Sequence, residues 1–312
     1  MSQPEATDRS VQQSITVRTR VNELVSRYRD HLASAQLFVG LTYLLIFFVV
    51  SFAIIVFYSV LKTAPPADAY EFTIQNYIEF LTDEFYRTVL WESIFIGIQV
   101  TVITLAIAYP VAYFLAFTES AHKNLLVLLV ILPFWINIVI RTYAWRLILG
   151  RQGVLNYLFV TVFGVMEQPG DYLFSQGSIV LGLVHVFLPF MLLPIYTSLN
   201  RFDRTQIEAA KNLGANKLRA FYEVTLPQSL PGIAAGVAIV YVLAFGSFVV
   251  PLLLGGSRNI MIANVISEMF GQFQAWEVGS AMAVVVTAIS LTLVFVFNHL
   301  VGLGGLYGGE SA

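Results

Sequence analysis

Six apolar runs, at residues 37–61, 93–117, 124–149, 178–199, 231–254 and 279–303, dominate this chain. Each reaches the roughly 20 residues that a helix needs to cross a bilayer core. Lipid offers no hydrogen bonds to a bare backbone, so a helix, which pairs its own amides and carbonyls, is the default structure for each run. Composition agrees, with 57% hydrophobic and only 12% charged residues against about 25% charged in an ordinary soluble domain. The expected fold is all-α, a polytopic membrane protein with six transmembrane helices.

The first run follows a charged tail of about 36 residues and is too long for a signal-peptide core, so it reads as a retained span. The chain then divides into a tail at 1–36, a six-helix membrane domain at 37–303 and a short tail at 304–312. Residues 1–15 are polar and expected to be disordered. Val21, Leu24, Val25, Tyr28 and Leu32 share one helical face, with arginines on the others, which fits an amphipathic helix lying on the membrane or a solvated juxtamembrane helix.

Basic residues sort between alternate connections. Eleven fall in the N-terminal tail, the second connection and the fourth, whereas Lys62, Arg87, Arg151 and Arg258 fall on the opposite side. Lysine and arginine stay cytoplasmic, so both termini and the fourth connection are expected there. "FTIQNYIEFL" and "ANVISEMFGQF" read as short helices in the outer connections, with "GRQG" and "QPGD" as turns. No repeat relates the two halves, which argues against a transporter built by duplication.

Several chemistries are excluded. The one Lys-Ser/Thr pair, Lys62-Thr63, has no glycine loop before it, so no phosphate cradle exists and this chain does not hydrolyse ATP. His31, His122, His185 and His299 are scattered, outside any HExxH pattern, and no metal site is expected. No cysteine is present for a thiolate or a disulfide. No pair of carboxylates within a run suggests an intramembrane acid/base site.

One polar stretch stands out between the fourth and fifth runs: "EAAKNLGANKLRAFYEVTLPQ", residues 208–228. Thr205 and Glu208 form a capping-box pattern, which predicts a helix from about Gln206. Gly214 suits the left-handed position that ends it. A second helix is predicted from Asn216, with Leu218, Phe221, Tyr222 and Thr225 on one face, stopping or bending at Pro227 before Pro231 opens the fifth span. A connection needing only to join two spans could be far shorter, so a partner is expected on this helix-turn-helix.

Glu208-Ala209-Ala210, three residues, Gly214, nine residues, then Val224-Thr225-Leu226-Pro227 resembles the EAA signature of membrane subunits of type I ABC importers, with valine where isoleucine is usual. "AYPVAYFLAF", "LPFWINIVIRTYAWRLIL", "QGVLNYLF" and "LLLGGSRNIMIANVI" extend the likeness to the spermidine/putrescine permease branch of that family. The resemblance implies a bacterial inner-membrane subunit that forms half of a pore with a second, similar permease in a heterodimer. A substrate-binding protein would deliver cargo from outside, and a cytoplasmic dimer of ATPase subunits would receive the loop at 200–230 through Glu208, Ala209, Ala210, Gly214, Leu226 and Pro227. It implies no cofactor and no nucleic acid.

A polycationic cargo calls for carboxylates and aromatic faces. Candidates along the pathway are Trp135, Asn137, Arg141 and Tyr143 in the third run, Glu92 at the outer end of the second and His185 in the fourth. Arg141 would repel a polycation, and the structural alternative has it snorkelling to the interface or pairing with Glu92 or Glu268. Leu252, Leu253 and Leu254 stand before Gly255-Gly256 where related polyamine permeases often carry an acid, which leaves an amino-acid derivative or an opine as alternative cargo. Outside this class, the alternatives are a stand-alone secondary transporter or channel, and a membrane scaffold that recruits a cytoplasmic protein.

Overall fold

A computed structural model of the protein describes residues 38, 40–63, 65, 70–257 and 259–301. The expected juxtamembrane helix and both tails lie outside the described residues. The chain divides into two compact units, one up to Phe57 and one from Tyr58. The first contains most of helix α1, Gly40–Ser59, which is long and apolar enough to span a bilayer and whose large side chains are exposed, as suits contact with lipid.

The second unit is built on three long helices: α3 (Glu84–Phe117), α7 (Gln176–Arg201) and α10 (Leu226–Phe245), which pack mutually and carry the main buried cluster around Val100, Leu183, Met191 and Val240. Lipid supplies no hydrophobic drive between helices, so close backbone approach matters. Gly232 and Gly236, four residues apart on α10, provide it. A β-carbon on Gly232 would lie 2.6 Å from the Pro194 carbonyl oxygen, and one on Gly236 2.8 Å from the Met191 sulfur, both on α7. A second cluster joins α10 and α3 to α12 (Ile262–Gly271) and α13 (Trp276–Val301), which also receives α2 (Gln75–Thr82).

Three predicted spans differ in extent. Helix α3 starts at Glu84, where Asp83 accepts from the amides of Phe85 and Tyr86; its 34 residues measure roughly 50 Å, and Glu92 lies two turns inside the helix instead of at its outer end. The fifth run is not one helix to residue 254: α10 closes at Phe245 with Gly246 behind it, and a separate short helix α11, Val249–Leu254, follows.

The third run breaks sharply. Helix α4 (Lys123–Ile131) tightens into a 3-10 turn at Leu132–Trp135, and helix α5 (Ile138–Leu149) leaves at 90°. Pro133 removes an amide donor, Ile136 and Asn137 are extended, and the Asn137 side chain caps α5 by accepting from the Val139 amide at 2.8 Å. Five helices are thus individually long and apolar enough to span, and a sixth span arises if the bent pair is one crossing. Helix α6, Val154–Asn156, runs on into a wide turn at Tyr157–Val162.

Candidate functional site

The helix-turn-helix predicted between the fourth and fifth runs is present as α8 (Thr205–Asn212) and α9 (Lys217–Ala220). Its start differs from the capping-box expectation. The Thr205 amide donates to Asp203 Oδ1 at 3.0 Å, so Asp203 takes the capping role and Thr205 is already helical. That bond, reinforced by the Thr205 hydroxyl, holds the Asp203 carboxyl below the usual carboxylate range. The Glu208 side chain is exposed and is not spent on the cap.

The end of α8 is as expected. Gly214 has φ +89°; its amide donates to the Lys211 carbonyl at 2.9 Å and the Ala215 amide to the Ala210 carbonyl at 3.0 Å. Those two bonds make the closed C-terminal turn that requires a left-handed residue. Asn216 then caps α9 through the Arg219 amide at 2.8 Å. Pro227 does not stop this helix. A wide turn at Phe221–Thr225 carries α9 directly into α10, with Leu226 and Pro227 in its first turn, because widening the preceding turn accommodates a residue with no amide to donate. The wide turn also rotates the face expected from even helical spacing: Leu218 and Tyr222 are exposed while Thr225 is buried.

The α8–α9 unit is tied to the bundle at two places. Behind it, α9 is continuous with α10. Before it, Arg204 donates to the Ala116 carbonyl at 3.0 Å and to Glu119 at 3.1 Å, with its guanidinium 5.5 Å from the Phe117 ring. Lys123 reaches the same Ala116 carbonyl at 3.1 Å and Asn200 at 2.8 Å. Two cations therefore sit at the C-terminal carbonyls of α3, where the helix dipole favours them. Sequence reasoning missed this clamp, although two basic residues in the connections beside a long apolar helix carry its signal. At the tip, Leu213 is 90% exposed and Leu218 66%.

The pathway candidates scatter. Trp135 is 81% exposed, Tyr143 is exposed beside Arg146, and Glu92 is exposed on α3. Asn137 serves as the cap of α5. His185 and Trp145 do meet, at a cavity of about 650 Å³ walled by α3, α5 and α7. Trp145 Nε1 donates to His185 Nδ1 at 2.9 Å. An indole nitrogen can only donate, so that bond leaves the imidazole neutral with its proton on Nε2. Gln176 donates to Gln99 at 2.8 Å across the same cavity, and none of the lining residues is acidic. The two glutamines were not anticipated; Gln99 stands as a lone amide within the second apolar run, and Gln176 just before the fourth.

Arg141 is the surprise. It is 8% exposed, and its Nε and Nη1 have no hydrogen-bond partner. The ion pairs among the described residues are Lys62–Glu71, Arg151–Asp171, Arg204–Glu119 and Arg219–Glu223. The expected pairing with Glu92 or Glu268 is therefore absent, and so is snorkelling, because α5 is packed against α11 and α7. An unpaired buried guanidinium carries a desolvation cost of several kcal/mol.

Comparison with known proteins places this geometry in a family. Residues 108–303 match the model of the binding-protein-dependent transport system inner membrane component. This chain belongs to that family. It is a permease subunit of an ABC importer, a multi-pass inner-membrane protein and not itself an enzyme. Among its relatives are the spermidine/putrescine transport system permease proteins PotB of Haemophilus influenzae, 37% identical over 73% of this chain and 79% of that protein, and of Escherichia coli K12, 37% identical over 72% and 82%. The fold is shared with a solved bacterial ABC transporter that imports the acidic polysaccharide alginate, at a TM-score of 0.68 and 18% identity, covering 88% of this chain and 96% of that one.

Proposed function

We propose that this permease imports a small organic amine of the spermidine/putrescine class and takes its energy from a separate cytoplasmic ATPase dimer that docks on the α8–α9 turn. The observation that carries the coupling half is mechanical. An exposed, doubly capped turn continues without a break into α10 and is clamped through Arg204 to the end of α3, so a force on α8 reaches two of the three central helices. Glu208, Ala209, Ala210 and Gly214 form the docking face, and Leu226 and Pro227 carry its movement into α10. The polyamine half is supported by the PotB relatives.

In this reading a second, homologous permease completes the pore as a heterodimer, and a substrate-binding protein presents the cargo from outside. Both termini face the cytoplasm of a bacterium, supported by the asymmetry of basic residues. ATP-driven closure of the ATPase dimer rocks α3 and α10 between inward- and outward-open arrangements. The cargo binds weakly, since tight binding in either state would favour that state and stall release.

The test is ATP-dependent uptake of labelled putrescine and spermidine by vesicles carrying the complete complex, with Gly214→Val, a β-branched residue strained in the left-handed conformation, as control. Uptake present in the native complex and lost in the control supports both halves. Uptake that survives Gly214→Val overturns the coupling assignment, and uptake without ATP or a co-purifying ATPase would make the protein a secondary transporter or channel.

A further inference from the structure

We propose that Arg141 reads an anionic oxygen group on the cargo, a carboxylate or a phosphonate, behind the cavity between α3, α5 and α7. The imported amine then also carries an acid. The inference rests on the importer reading above and narrows its cargo.

Arg141 stays charged at any physiological pH and presents five donors with no capacity to accept. It is buried and two of its nitrogens are unsatisfied, so the arrangement is completed by an acceptor that the described residues do not supply. It lies one helical turn before Trp145, which places the two side chains on one face of α5 with about 6 Å between their β-carbons. Trp145 is bonded to His185. Trp145 and His185 line the cavity and Arg141 does not, so the pair is read as the partition between the guanidinium and the cavity.

The cavity has the size of a small-molecule site. With Nδ1 occupied, His185 has Nε2–H left to donate; the Gln99–Gln176 pair keeps one amide donor group free on Gln99. A simple polyamine consists of donors and finds no carboxylate among the lining residues. A carboxylate or phosphonate finds donors on two walls and, once the Trp145–His185 partition opens in the transport cycle, a guanidinium whose planar fork matches it. A carboxylate from a second subunit would have to approach through a face that is already packed, since Arg141 is 8% exposed, whereas cargo entering by the cavity meets the Trp145–His185 pair.

The test uses vesicles carrying the complete complex and three labelled probes: putrescine, 4-aminobutyrate and 2-aminoethylphosphonate. The native complex is expected to take up at least one acid-bearing amine with ATP, and unlabelled acid-bearing amine is expected to compete with it. Arg141→Gln is expected to lower the ratio of acid-bearing to putrescine uptake by about tenfold or more, the value of a charge-assisted hydrogen bond, with Arg141→Lys recovering part of it. Putrescine uptake by the native complex, with neither transport of nor competition by the acid-bearing amines, overturns the proposal and leaves the importer reading intact. An unchanged ratio in Arg141→Gln does the same. Loss of the second permease from purified Arg141→Gln complex would assign the arginine to a subunit contact and also overturn it. No ATP-dependent uptake of any probe by the native complex overturns the importer cargo reading and this proposal together.

Discussion

Gly214 and Asp203 bracket α8 with opposite kinds of constraint. At Gly214 the space around an added β-carbon is open, so a substitution is penalised by the left-handed backbone alone, about 1–2 kcal/mol for an ordinary side chain. Gly214→Ala is expected to lower ATP-coupled uptake, whereas Gly214→Asn, a residue that tolerates this conformation, is expected to retain more of it in the same vesicle assay. At Asp203 the constraint is electrostatic. Its pKa is depressed by Thr205, so the cap contributes above the ordinary carboxylate range and its contribution is lost as pH falls through the depressed value in the folded protein. Amide exchange at Thr205–Glu208, corrected for its intrinsic pH dependence, is expected to accelerate on that descent in the native chain. Asp203→Asn, which keeps an acceptor and cannot titrate, is expected to lack the transition.

Helix contacts are set by a few small or capping residues. The α7–α10 approach leaves no room at Gly236, and Gly236→Val is expected to destabilise the folded protein by about 1–3 kcal/mol, the usual cost of overpacking, read as a lower thermal midpoint of the purified complex. Asn137 is the hinge of the bent α4–α5 pair. Asn137→Ala is expected to cost about 1 kcal/mol as a lost cap, and Asn137→Ser to restore most of it in the same measurement. The wide turn at Phe221–Thr225 joins α9 to α10 without a break, which is the continuity that the proposed coupling uses.

For the whole molecule, docking and force transmission should separate by mutation. Leu213 and Leu218 project from the tip, and Leu213→Asp with Leu218→Asp is expected to abolish co-purification of the ATPase while the permease remains in the membrane. Arg204→Ala breaks the link to the α3 terminus and is expected to keep the ATPase bound while lowering uptake per ATP hydrolysed. If the double variant still binds the ATPase, the two exposed leucines take no part in docking; if Arg204→Ala transports with native stoichiometry, the route through α3 carries no force.

Local signals were sufficient where local physics decides. Run length and apolarity specified membrane helices because the bilayer imposes its thickness on each segment alone, and Gly214 was legible because a left-handed residue is a property of one backbone position. The spacing of Glu208, Ala209, Ala210 and Gly214 pointed to the family before any packing was considered. Three features lay beyond that reach. The break at Asn137 and the continuity through Pro227 depend on whether neighbouring groups can replace a missing amide bond, which periodicity does not report. Arg204 meets the end of α3 across 88 residues of sequence. In the sequence Arg141 is a charge that needs a partner, with Glu92 or Glu268 as the expected one. The packing of α5 against α7 and α11 decided otherwise, because burial and hydrogen bonding are settled by which helix faces meet, and that is fixed by the assembled bundle rather than by any one segment.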